Sequence, residues 1–243
     1  WAGLPELTYP TDEQNWAHCL SLVKELSIKQ NRLYQTPITE LEVLRQKATP
    51  VAGELGALTP LVKENQQNRY ELRLTFSPDS HGKIHLFADA ENKHPFTLHF
   101  DAKNGKITID RSRVSRPLNE AFGTTRSITI ERMQELTFQI FVDQSICEIF
   151  VNDGLHVFTS RVFPEIDQTN LFVEGENGQP KIEHFHSDQG LREFVKYIDS
   201  SREALIQDVI HISTEKYGTP VEIAMVYNTS YSENLHSYVN NIN

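Results

Sequence analysis

The strongest constraint in the chain is a period of two. Tyr70, Leu72, Leu74 and Phe76 alternate with Arg69, Glu71, Arg73 and Thr75, the pattern of a strand with one face on a core. Ile84, Leu86 and Ala88 repeat it, and Phe96, Leu98 and Phe100 face Ile107 and Ile109 across Asn104-Gly105. That dipeptide marks a hairpin, because both residues tolerate positive φ. Further short strands are predicted over 126–130, 136–142, 146–151 and 155–163, the last three joined by Asp143-Gln144-Ser145 and Asn152-Asp153-Gly154. Upstream, Leu20, Leu22, Leu26 and Ile28 are spaced by twos, and Gln30-Asn31 offers a turn before Leu33 and Tyr34, so a hairpin is predicted over 19–34. Ile38, Leu41 and Leu44 suit one or two turns of helix, and 48–68 reads as loop with short extended pieces. Many short strands, tight turns and almost no helix give a fold class of mainly β, an antiparallel β-sandwich.

The texture changes after about residue 176. Leu191, Phe194, Val195 and Ile198 follow helical spacing, with Ser187 or Asp188 available as a cap, and Val221, Ile223, Met225 and Tyr227 alternate. The sandwich is therefore followed by a small α+β fragment. The expected organisation is an irregular connector over 1–15, the sandwich over 16–175 and the fragment over 176–243. The fragment offers about a dozen apolar positions against an ordering cost of roughly 1–2 kcal/mol per residue, so it is expected to dock on the sandwich or to be poorly ordered. The first residue is Trp1, not Met, so the chain is expected to be processed or part of something longer.

Lys and Arg number 23 against 33 Asp and Glu, a net charge of −10. That balance argues against a generic nucleic-acid or membrane-surface binder. No run approaches the ~18 apolar residues of a membrane span. Two cysteines, Cys19 and Cys147, are too few for a disulfide framework or a cysteine-rich zinc site.

Candidate chemistry is sparse. Glycoside hydrolysis needs two facing carboxyls. Asp143 and Glu148 sit near one hairpin, and Asp89 and Glu91 have similar standing. The simpler reading makes Asp143 a turn residue and Glu148 an outward strand residue. Among ten histidines, including His94 and His99, His184 and His186 share a spacing compatible with metal binding, but no further Cys/His pair supports them. Nucleophile-elbow and phosphate-loop motifs are absent. Cys147 on an apolar strand reads as a small buried hydrophobe. Asn228-Thr229-Ser230 matches a glycosylation sequon, which matters only in a secreted protein. The strand aromatics could stack on sugar, yet at period two they read as core.

Trp1-Ala2-Gly3-Leu4-Pro5-Glu6, then Tyr9-Pro10-Thr11-Asp12 and Asn15-Trp16-Ala17-His18-Cys19-Leu20, resemble a block of family 32 glycoside hydrolases, the sucrose-6-phosphate hydrolases and related β-fructofuranosidases. In that family the block lies where the catalytic propeller passes to a C-terminal β-sandwich. Residues 143–164 resemble the family's sandwich signature, and Lys24-Glu25-Leu26 with Leu33-Tyr34-Gln35 fit its first strands. The resemblance covers roughly 1–175. It implies retaining hydrolysis of β-fructosides by a parent enzyme, with the catalytic groups in the propeller motifs N-D-P-N-G, R-D-P and E-C. None of these motifs occurs here, and Cys147-Glu148 has the reverse order. No catalytic, cofactor-binding or metal-binding residue is carried over, so the chain is expected to be inactive alone. The resemblance implies the parent propeller as partner, oligomer contacts through the sandwich in some members, and a β-fructoside sugar as a further partner.

Gly190-Leu191-Arg192-Glu193-Phe194-Val195, Val221-Glu222-Ile223-Ala224 and residues 227–243 resemble gyrase B, the ATP-hydrolysing component of DNA gyrase, where the ATPase domain hands over to the transducer. The nucleotide motifs of that ATPase are absent, so neither ATP hydrolysis nor DNA cleavage is expected. The two resemblances meet between about 172 and 186, as in a fusion, a composite or an engineered sequence. Resemblance to intracellular enzymes, with the low cysteine count, implies a cytoplasmic origin. Three functions follow: an inert accessory sandwich of a sucrose-cleaving hydrolase, a carbohydrate-binding module, or a gyrase-derived interaction fragment.

Overall fold

The structure, a computed structural model, describes residues 2–4, 6–45, 59–62, 68–118 and 120–176. The expected helix near 191–198, the strand near 221–227, His184, His186 and the sequon at Asn228 lie outside the described residues, as does the docking of the tail.

Twelve strands are described: β1 (Lys24–Lys29), β2 (Arg32–Pro37), β3 (Thr59–Val62), β4 (Arg69–Phe76), β5 (His81–Ala88), β6 (Phe96–Asp101), β7 (Lys106–Asp110), β8 (Thr125–Thr129), β9 (Leu136–Asp143), β10 (Ile146–Val151), β11 (His156–Arg161) and β12 (Asn170–Glu176). They form a six-stranded sheet in the order β3-β12-β5-β6-β7-β8, a four-stranded sheet β11-β10-β9-β4 and the separate hairpin β1-β2. Every pairing is antiparallel.

The core lies between the two larger sheets. The four-stranded sheet contributes Tyr70, Leu72, Leu74 and Phe76 from β4, Leu136, Phe138, Ile140 and Val142 from β9, and Cys147, Ile149 and Val151 from β10. The six-stranded sheet answers with Ile84 and Leu86, Phe96, Leu98 and Phe100, Ile107 and Ile109, and Leu171 and Val173. Each set is the alternate-residue face that period two requires. Phe100 of one sheet lies 4.2 Å from Phe76 and 5.9 Å from Phe138 of the other, ring centre to ring centre. The inward-facing aromatics of these strands are therefore core, whereas Phe141 and Phe150 lie on the outward face.

Turn chemistry explains the register. Gln30 and Asn31 both take positive φ, 52° and 59°, which matches the right-handed twist of a two-residue hairpin. Gly105 takes φ 70° beyond Asn104. The stretch Ile38–Leu44 forms a 3-10 helix over Thr39–Leu44. Two features depart from plain alternation. On β5, His85 and Phe87 are buried along with Leu86 and Ala88. Between the pairs Ala88–Asn170 and His85–Phe172, β5 carries one extra residue, and Phe87 takes φ 53° at this bulge. The bulge turns its ring toward Phe96, 6.4 Å away. β12, which the alternation does not flag, inserts between the edge strand β3 and β5 in the larger sheet.

Candidate functional site

The outward face of the four-stranded sheet carries Arg69, Glu71 and Arg73 on β4, Gln139 and Asp143 on β9, Glu148 and Phe150 on β10, and Thr159 and Arg161 on β11. Ordinary sandwiches leave such a face in water. Here Arg69, Glu71, Glu148, Phe150 and Arg161 are buried, and three polar clusters on this face bond to residues of the N-terminal 45.

The first cluster is built on Glu148, which is 2% exposed. Lys24 places its Nζ 2.6 Å from Glu148 Oε1, the Leu22 amide donates to Oε2, and Thr159 Oγ1 donates to Oε1 at 3.2 Å. Lys24 also lies over the Phe150 ring, 5.7 Å from its centre. The second is Glu71, gripped by the Arg45 fork at 2.9 Å and 3.0 Å and by Gln139 Nε2 at 2.7 Å. This two-pronged geometry is the strong form of the arginine–carboxylate bond. Burial pulls the Arg45 pKa down, but Glu71 and Glu42 more than offset it, and it stands above its ordinary value.

The third cluster centres on Arg161. Its Nη1 donates to the carbonyls of Ala2 at 3.1 Å and Ala17 at 2.7 Å, and its Nε to Ser145 O at 3.1 Å. The rings of Phe163, Tyr9 and Trp16 surround the guanidinium at 4.8, 5.4 and 5.5 Å. Burial lowers its pKa, yet an arginine so placed stays charged. The bridge between Ala2 and Cys19 closes the segment against it.

These clusters decide the candidate residues. Asp143 and Glu148 share a face two positions apart, but Glu148 is buried beneath Lys24, 2.6 Å from its Nζ. Glu148 points away from the core, as the simpler reading has it, and is covered rather than solvated. Asp89 accepts the amides of Glu91 and Lys93 and the His94 Nδ1 contact at 2.8 Å. Burial raises its pKa, and those hydrogen bonds outweigh it, leaving the carboxyl below its usual range. It shapes the turn before β6, while Glu91 pairs with Lys93. His99 Nε2 stands 3.9 Å from Asp110, its pKa lowered by burial and by Lys83. Cys147 is buried in the core, and burial, then Glu148, pushes its thiol far up. Burial also raises Cys19. Both are protonated thiols at neutral pH. Among the described residues no three His, Cys, Asp or Glu converge on a metal position. Among the described Phe, Tyr and Trp side chains, Phe122 alone stands exposed.

Sequence reasoning missed all three clusters. The available signal was that Arg69, Glu71 and Arg73 sit on one strand face with Gln139 beside them, a density of charge a solvated face does not need.

Comparison with known proteins agrees with this architecture. A family model described as "Glycosyl hydrolases family 32 C terminal" matches residues 35–189, and one described as "DNA gyrase B" matches 190–243. The chain is 40% identical over 185 residues to the sucrose-6-phosphate hydrolase of Streptococcus mutans serotype c, covering 76% of this chain and 36% of that protein. The structure of sucrose-6-phosphate hydrolase from Lactobacillus gasseri superposes with a TM-score of 0.70 at 34% identity, over 76% of this chain and 37% of that one. The DNA gyrase B protein of Cytophaga aurantiaca is 36% identical over 168 residues, 68% of this chain and 30% of that protein. The chain spans about a third of the length of the curated relatives it matches. The chain belongs to glycosyl hydrolase family 32, through that family's C-terminal domain.

Proposed function

We propose that residues 16–175 are a non-catalytic accessory sandwich of a sucrose-6-phosphate-hydrolase-like enzyme, that 1–15 connect it to a propeller, and that 176–243 are a fused gyrase-B-like fragment. In this reading the sandwich stabilises a cytoplasmic propeller that cleaves β-fructosides, and itself contributes no catalytic group. One observation carries it. The β1-β2 hairpin and the residues before it expose Leu20, Val23, Leu26, Ile28 and Leu33, with Leu26 at 64% and Ile28 at 78%. Ile28 stands opposite Leu33, and Leu26 follows on the same side of the strand. An apolar group of this kind marks a docking surface. The occupant we assign is the propeller, because the relatives this chain matches are nearly three times the length it spans.

The test mixes the full chain with a separately produced propeller domain from a sucrose-6-phosphate hydrolase. The two co-elute, and the pair Leu26→Lys and Ile28→Lys weakens association roughly tenfold or more, as burial of two large side chains requires. The chain alone releases no fructose from sucrose 6-phosphate. Fructose release by the purified chain, or association untouched by the two lysines, refutes the reading.

A further inference from the structure

A cavity of about 490 Å³ opens where the β1-β2 hairpin meets the sandwich. That volume falls in the range of about 300–1,000 Å³ typical of small-molecule sites. Three separate pieces of chain wall it: β2 through Arg32 and Leu33, the segment after β8 through Glu131 and Gln134, and the β10-β11 turn through Asn152 and His156. The hairpin is fixed beside it by the Gln35 amide donating to Gly154 O at 2.9 Å, so the walls are held in place by the fold.

The lining is mixed in a specific way. Leu33 gives an apolar surface, and the polar groups are planar amides, a guanidinium, a carboxylate and an imidazole. Arg32 and Glu131 approach only to 4.0 Å and are each more than half exposed, so neither is consumed by the other. Arg32 keeps donors, and Glu131, whose Oε2 accepts from Gln134 Nε2, keeps its Oε1 as an acceptor for a ligand. Asn152 spends its Oδ1 on the Thr137 amide, which leaves its Nδ2 to donate. Side chains that pair donors with acceptors in this way suit adjacent hydroxyls, each of which both gives and takes a hydrogen bond.

Charge selects among hydroxylated ligands. The Arg32 and Glu131 charges cancel. Burial, then Arg32, lowers the His156 pKa, so its imidazole is neutral at pH 7. The cavity has no net charge with which to draw an anion out of water. We propose that this cavity is a binding site for an uncharged saccharide of one or two rings. The site shares Leu33 with the docking surface but is tested apart from it: a module that docks without binding sugar leaves the proposed function intact and removes only this site.

The experiment titrates the full chain at pH 7.5 with sucrose and, in parallel, with sucrose 6-phosphate, by calorimetry and by amide chemical shifts. Sucrose binds saturably, with shifts at residues 129–134 and 152–156, and the phosphate ester binds no tighter. Arg32→Ala and Glu131→Gln each weaken sucrose binding roughly tenfold or more, the loss expected for a hydrogen bond to a charged group. Both positions are exposed, so matched melting curves are expected for the two variants. Absence of saturable sucrose binding, preference for the phosphate ester, or binding that survives both substitutions overturns the assignment.

Discussion

Glu148 and Lys24 are 124 residues apart in sequence and meet at 2.6 Å under the N-terminal segment. Removing one partner of such a pair strands the other charge in a poorly solvated place. Glu148→Ala should therefore cost about 3–5 kcal/mol, whereas replacing both, Lys24→Met with Glu148→Leu, should leave stability near or above the starting value. Urea denaturation of the two variants separates the cases. A single substitution that costs under about 1 kcal/mol would show that the pair is effectively solvated. The same residues show why the outer face was illegible in sequence. A charge on an alternating strand looks identical whether water or another layer covers it, and the partners Lys24 and Arg45 lie in a predicted hairpin and beside a predicted helical turn, where nothing in the sequence directs them to this face.

The β10-β11 turn works as an element-scale latch. Gly154 takes φ +80°, and a Cβ built there would meet Gln35 O at 2.1 Å. Gly154→Ala combines backbone strain with that clash and should cost about 1–3 kcal/mol or more. It should also loosen the hairpin, read as faster tryptic cleavage after Lys29 or Arg32. Unchanged cleavage would mean that the hairpin is held elsewhere. At this scale much was legible. Gln30-Asn31, Asn104-Gly105 and Asn152-Asp153-Gly154 mark turns through local backbone chemistry, and β4, β6, β7 and β9 through strict alternation. β12 was not, because a strand flanked on both sides and buried reads as the short apolar run Leu171-Phe172-Val173, without alternation. The β5 bulge was not, because one extra residue is invisible to a period-two template.

For the whole molecule, acid should be destabilising in two stages. Burial lowers the pKa of His85, His99 and His156 in the fold. The unfolded chain then binds more protons just below the ordinary histidine value of about 6.5, so stability is full above that pH and falls as pH drops through this window. Glu174, held down chiefly by Lys83, and Asp89 follow, with a contribution present above about pH 4 and lost below. Melting temperatures should thus fall between about pH 7.5 and 5.5, and His85→Gln should flatten that part of the curve. A melting temperature that rises over this interval contradicts the burial assigned to these histidines.

The long reach between Lys24 and Glu148 sets a timetable for synthesis. The lysine leaves the ribosome 124 residues ahead of its carboxylate, a wait of roughly 6–25 s at about 5–20 residues per second. Throughout it the hairpin lacks the sandwich residues that Lys24 and Gln35 bind. A nascent chain of this design is most vulnerable to self-association before its last strands emerge, and holdase chaperones should be found on it then rather than after release.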